Sequence, residues 1–100
     1  MATVSKVLVR AAAATSTATL YTVPASTTTV VTNIVVTNSA ASSATFTLTL
    51  NSVDIFTTSA IAANSTAMFD LKQVMATTQI IAGFASAVTV KFHISGVEIS

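Results

Sequence analysis

Of the 100 residues, 39 are valine, isoleucine or threonine, side chains whose branching at Cβ loses rotamer freedom on a helix but packs well on a pleated sheet. A chain built this way is driven toward β structure along most of its length. Ala44 to Asn51 shows it most cleanly. Phe46, Leu48 and Leu50 fall to one side and Thr45, Thr47 and Thr49 to the other, the period of two expected of a strand with one buried face. Thr28 to Thr37 contains Val30, Val31, Ile34, Val35 and Val36, apolar on both sides in places, which predicts a central strand with cover on each face.

Strand ends are harder to read. Two glycines and one proline are the only strong punctuation, so boundaries come from Ser, Thr, Asn and Ala clusters. Further strands are predicted over Thr3 to Val9, Ala18 to Val23, Val53 to Phe56, Thr66 to Leu71, Thr78 to Gly83 and Ala87 to Ile94. In the last of these Val88, Val90, Phe92 and Ile94 point inward. Pro24, with no N–H for a ladder, ends the second. Asn51-Ser52 reads as a tight hairpin turn without the usual glycine, Thr57 to Ser65 as a connection anchored by Ile61, and Lys72 to Ala76 as a loop or one helical turn.

Seven or eight strands at a spacing of about ten residues predict an all-β chain, a single antiparallel β-sandwich of jelly-roll or Ig-like kind. No unit repeats at a fixed period, which argues against propellers and solenoids. Arg10 to Thr17 is made of small side chains that bury little. Residues 1–17 are therefore expected to be an N-terminal arm and linker, and 18–100 the sandwich domain. Val4, Val7, Leu8 and Val9 make the arm apolar, and they are the candidate residues for contact with a neighbouring subunit.

Charge is nearly absent. Seven charged residues give a net charge of +1, and four widely spread Lys and Arg cannot grip a nucleic acid, where each neutralised phosphate needs its own cation. The mean hydropathy of +0.80 is equally unlike a disordered chain. No continuous apolar run is long enough for a membrane span or a secretory leader, so no membrane partner is expected and the product is read as made without a leader. With no cysteine, disulfides and thiolate chemistry are excluded.

The inventory for catalysis is thin. One imidazole, His93, has Asp54, Asp70 and Glu98 as its only carboxylate candidates, and His93 falls on the polar side of its strand without a glycine-rich elbow or oxyanion loop nearby. The same three acids would have to furnish any carboxylate pair; they read better as edge solubility, or as an ion pair of Asp70 with Lys72. Zinc and calcium need more ligands than the chain offers, and neither glycine opens a phosphate cradle. The expectation is a protein that is not an enzyme, with no cofactor, no metal and no small-molecule substrate. The threonine row at Thr45, Thr47 and Thr49 resembles ice-binding arrays in kind, but it is one strand wide. A carbohydrate-binding module would present exposed aromatics, whereas Tyr21 is the only tyrosine and tryptophan is absent.

Outer faces of Thr, Ser, Ala and Val repel one another little, and unguarded sheet edges invite pairing. Such a surface is suited to a permanent assembly in which copies cover one another. The run from Leu20-Tyr-Thr-Val-Pro-Ala25 through Val35-Val-Thr-Asn38, then Ala44-Thr-Phe-Thr-Leu-Thr-Leu50 and the closing Ile94-Ser-Gly-Val-Glu-Ile99, resembles a group of small virion proteins of tailed bacteriophages. The likeness extends over residues 18–99, with Ser26 standing where that group would have glycine. It implies a β-sandwich that decorates or joins parts of a particle. The reading it favours is a capsid decoration (cement) protein, a homotrimer bound between major capsid protein subunits on the virion surface and made in the host cytoplasm. The alternative is a tail, baseplate or fibre-attachment component.

Overall fold

A computed structural model of the chain describes residues 3–100, which form eight strands. These are β1 (Thr3–Ala12), β2 (Ala18–Thr22), β3 (Thr28–Asn38), β4 (Ala44–Leu50), β5 (Val53–Ile61), β6 (Ser65–Met75), β7 (Ile80–Ala85) and β8 (Val90–Ile99). The pairing is nested. β4 and β5 form a hairpin across Asn51-Ser52, and outward from it β3 pairs with β6, β2 with β7 and β1 with β8, all antiparallel. Rolling this ribbon over lets β3 pair also with β8 and β4 with β7. The result is two four-stranded antiparallel sheets, ordered β1-β8-β3-β6 and β2-β7-β4-β5.

The two sheets share one core. Ile34, Val36, Phe92 and Ile94 of the first sheet join Phe46, Leu48 and Ile81 of the second, all buried. Phe46 is the hub, its ring centroid 5.5 Å from Phe56, 6.5 Å from Phe69 and 6.1 Å from Phe92. Phe56 and Phe69 close the cluster at 4.5 Å. Tilted and edge-on ring pairs of this kind add about 0.5–1.5 kcal/mol each beyond the area they bury. The alternation read at Ala44 to Leu50 is the reason Phe46 and Leu48 sit there.

The expected arm is instead an edge strand. Over Thr3–Ala12 it pairs with β8 of its own chain, and Leu8 and Val9 are only 8% and 5% exposed. Met1 and Ala2, also assigned to the arm, lie outside the described residues. A register shift between Val7 and Val9 turns two successive side chains inward, so the strand buries more than simple alternation would allow. The alanines that follow are not idle either. Ala12 pairs with Lys91, and the N–H of buried Ala13 donates to the carbonyl of Val90 at 2.8 Å. Small side chains let the backbone cross closely from one sheet to the other.

Three further boundaries differ from expectation. β5 and β6 run on to Ile61 and Met75, so the connection expected at 57–65 and the loop or helical turn at 72–76 are largely strand. β8 begins at Val90, and Val88, expected inward, is 62% exposed in the preceding turn. The reason lies in where the backbone turns left-handed: at Ser26, Asn51, Ser52, Thr58, Asn64 and Thr78, and at neither glycine. Gly83 and Gly96 are mid-strand. A Cβ on Gly83 would stand 2.6 Å from the Leu48 side chain and 2.7 Å from the Thr47 carbonyl oxygen, and one on Gly96 would strike the Val30 carbonyl oxygen. They are close-packing positions, not turn signals.

Asn38 ends β3 and locks one end of the molecule. Its Nδ2 donates to the carbonyls of Ser42 (2.9 Å) and Ala62 (3.3 Å), while its Oδ1 accepts from the Ala40 N–H and the Thr89 hydroxyl, both at 3.1 Å. Three loops thus hang on one buried amide. Replacing Asn38 with alanine strands these partners and is expected to lower unfolding free energy by about 2–4 kcal/mol, read by denaturant titration.

At the hairpin, Asn51 (φ 51) and Ser52 (φ 65) are both left-handed, as a two-residue type I′ turn requires. Asparagine tolerates this and serine does not, at a cost of about 1–2 kcal/mol. Ser52→Gly relieves it against the greater entropy glycine gains when unfolded. The net expected effect is a Tm higher by roughly 2–4 °C, measured by thermal melting.

Candidate functional site

The residues that would have to carry catalysis are held apart. His93 lies mid-strand on β8, opposite Arg10 and Val35, while Asp70 on β6 is opposite Asn33; with β3 standing between them, the imidazole and carboxylate do not meet. Asp54 accepts a hydrogen bond from the Thr57 hydroxyl at 2.7 Å. Among the described residues no three of His, Cys, Asp and Glu gather as a metal site would require. The expected Asp70–Lys72 pair also does not form, because neighbours in sequence on a strand point to opposite faces and next-neighbours stand about 7 Å apart along it. The one ion pair among the described residues joins Lys6 and Glu98 at 3.3 Å.

That pair belongs to a polar cluster closing one end of the molecule. Tyr21, on β2 of the second sheet, reaches across to donate its hydroxyl to Glu98 on β8 of the first, and shares a hydrogen bond of 2.9 Å with Thr29. Burial, reinforced by the hydrogen bond to the Glu98 carboxylate, pushes the phenol from its ordinary 10.0 up to about 12. The Tyr21 hydroxyl and then the Lys6 ammonium hold the Glu98 carboxyl below its usual value, against the effect of desolvation. A neutral phenol donating to a carboxylate is a tie between the sheets. Sequence reading missed this cluster because its members are 77 residues apart and no local spacing links them.

The four residues chosen as a subunit contact divide. Leu8 and Val9 are spent on the core, while Val4 and Val7 remain exposed. Val4 pairs with Glu98 and Val7 with Ser95, so the two valines lie on opposite faces of the sheet. Val7 borders a shallow groove of about 340 Å³ between β1 and β3, lined also by Ser5, Thr32, Ser95 and Val97, with Lys6 its only ionisable group.

Around Val7 the outer face of the first sheet forms a larger apolar surface. Two registered rows cross its strands, Val97, Val30 and Val74 on β8, β3 and β6, and His93, Val35 and Met68 farther along, with Ser95, Thr32, Asn33, Asp70 and Lys72 between them. Val30, Val35 and Val97 are half-buried, while Met68 and Val74 are 75% and 71% exposed. β3 is thus the central strand expected, but its second face has no cover within the chain. The apolar doublets Val30-Val31 and Val35-Val36 were the signal in the sequence. On the opposite sheet the threonine row is drawn inward: Thr47 Oγ1 accepts the N–H of left-handed Thr58 at 3.0 Å, and Thr49 Oγ1 donates to the Ala82 carbonyl at 3.4 Å.

Comparison with protein-family models, curated proteins and solved structures returns no match for this chain.

A proton held more firmly by the folded state stabilises it fully below the unfolded pKa, and that contribution is lost as pH rises through the folded one. For Tyr21 the loss falls between pH 10 and about 12. Glu98, displaced downward, stabilises above the ordinary carboxylate pKa and ceases to as acid protonates it. Since Tyr21 is the only tyrosine and there is no tryptophan, phenolate absorbance reads this one group. Its midpoint is expected near 12 in the folded protein, and Tyr21→Phe is expected to abolish its share of the alkaline loss of stability.

Proposed function

We propose that the two sheets form a jelly roll and that the protein is a non-enzymatic structural component of a phage virion, a decoration protein seated on major capsid protein subunits. The observation that carries this reading is the uncovered face of β1-β8-β3-β6. It presents Val7, Val30, Val35, Met68, Val74 and Val97, with Arg10, Asp70, Lys72 and Lys91 standing among them on the same face. A free monomer gains nothing from such a face; a shell that covers it gains the burial.

Other observations agree. The nested strand pairing and the two four-stranded sheets support the jelly-roll reading, an architecture that recurs in viral capsid proteins, although a fold by itself names no function. Ser26, where the virion proteins resembled by this chain would have glycine, is left-handed with φ 53, a conformation in which glycine is the least strained residue. Asn38, the end of the resembled Val-Val-Thr-Asn run, is the buried loop lock. These two positions of the motif therefore have structural roles in this chain.

The test is to image particles of the phage encoding this chain and count the copies. Hundreds of copies spread over the shell are expected. A handful at one vertex or at the tail tip would overturn decoration in favour of a tail or baseplate component, and absence from the particle would overturn the virion reading altogether.

A further inference from the structure

The seven charged residues are divided unequally between the sheets. Strands β2, β4, β5 and β7 of the second sheet carry Asp54 and no other charge, and the remaining six lie on β1, β6 and β8 of the first. Two of those six, Lys6 and Glu98, are spent on each other at one end of the molecule. Arg10, Lys72 and Lys91 are left as cations without an ion-pair partner among the described residues, and all three are exposed on the outer face of the first sheet.

Directly opposed residues of neighbouring strands share a face. Arg10 stands opposite His93, His93 opposite Val35, and Val35 opposite Met68. Phe92 and Ile94, the strand neighbours of His93, are buried, so this row faces outward. It is basic at one end and apolar at the other. Lys91 lies two residues from His93 on the same face, about 7 Å along β8, its Nζ donating to the Ser39 hydroxyl at 3.4 Å. Nothing nearby neutralises the basic end. The one carboxylate on this face, Asp70, is two strands and one row from His93 and has Lys72 beside it. That separation is about 12 Å by strand geometry, beyond the screening length of about 8 Å at physiological salt.

We propose that the surface buried against this face belongs to a different protein, apolar where it meets Val35 and Met68 and carrying carboxylates where it meets Arg10 and Lys91. The inference rests on the reading that the face is seated on a larger shell, and it adds the chemistry of that seat. A second copy of this chain brings the wrong charges. Packed face to face, each copy answers Arg10, Lys72 and Lys91 with Asp70 alone; stacked head to tail, the second sheet of a neighbour offers only Asp54. Nucleic acid would meet the cations but not the rest of the row, since each phosphate needs its own cation and Val35 and Met68 have no complement in a phosphate backbone. A protein surface supplies both kinds of group. Apolar burial is non-directional, whereas opposite charges across an interface steer encounter and fix register, so the two cations at one end decide which way round the sheet lies.

The test uses the full chain and shells of the phage encoding it, assembled in its absence. Arg10→Gln with Lys91→Gln is expected to weaken binding by about 10-fold or more and to flatten its dependence on salt. Thr19→Glu with Thr22→Glu makes the same change in net charge at exposed positions of β2 and is expected to alter neither. Thermal melting shows both variants to be folded. Carbodiimide, which condenses an amine with a carboxylate, is expected to link Lys91 to an aspartate or glutamate of the shell. Shells that do not bind the unaltered protein overturn the decoration reading and this inference with it. Shells that bind it, yet bind the Gln variant equally well or lose the Glu variant to the same extent, overturn this inference and leave decoration standing. So does self-association of the free protein, or binding to duplex DNA, that Arg10→Gln and Lys91→Gln abolish, since either assigns the cations to another occupant.

Discussion

Phe46 is the point at which the two sheets become one structure. It reaches from β4 to Phe69 and Phe92 on the facing sheet and to Phe56 beside it, and no other ring among the described residues pairs with three others. The chain has few alternatives. With seven charged residues and one ion pair between its described residues, electrostatics cannot hold the sheets together. Most of its small side chains, Ala, Ser and Thr, bury little apolar area apiece. Cohesion therefore comes from a compact set of aromatic and branched aliphatic groups, with backbone ladders supplying direction. At the two ends, where this core thins, polar ties take over: Asn38 at one and the Tyr21, Thr29, Glu98 and Lys6 cluster at the other. Both are built from groups that satisfy one another on burial, which makes them specific as well as stabilising.

The sequence was legible wherever side chains alternate and opaque wherever the backbone turns. Ala44 to Leu50 and Val90 to Ile94 could be placed, with the correct face inward, because Phe and Leu against Thr, or Phe and Ile against Lys and His, differ sharply in hydrophobicity. Apart from the Asn51-Ser52 hairpin, the turns could not. Their left-handed positions are occupied by serine, asparagine and threonine, residues that also occur within the strands, so the ends of β5 and β6 had no marker. The glycines misled in the opposite sense, since both are held by close packing inside strands. Arg10 to Thr17 looked like a linker because alanine buries little, yet Ala12 and Ala13 make the crossing between sheets. Of the functional surface, Val7 and the outward valines of β3 were visible in the sequence. Their assembly into rows with Val74, Met68 and Val97 was not, because it depends on which strands become neighbours, and nesting about Asn51-Ser52 sets that.

Low charge has a consequence for a protein made of sheets. Charged side chains on outer faces and edges keep β proteins apart, and this chain has withheld them from all but a few places. The distribution of the remainder is informative. Lys6 and Glu98 cancel within the protomer. Arg10 stands unpaired on the outer face of the β1 edge, and that edge is also bulged, a distortion that guards it against its own copies. On β6, Asp70 and Lys72 flank a point where two residues of the strand, Leu71 and Lys72, face Thr32 alone, so this edge too is bulged, and distortion guards all four edges where charge is scarce.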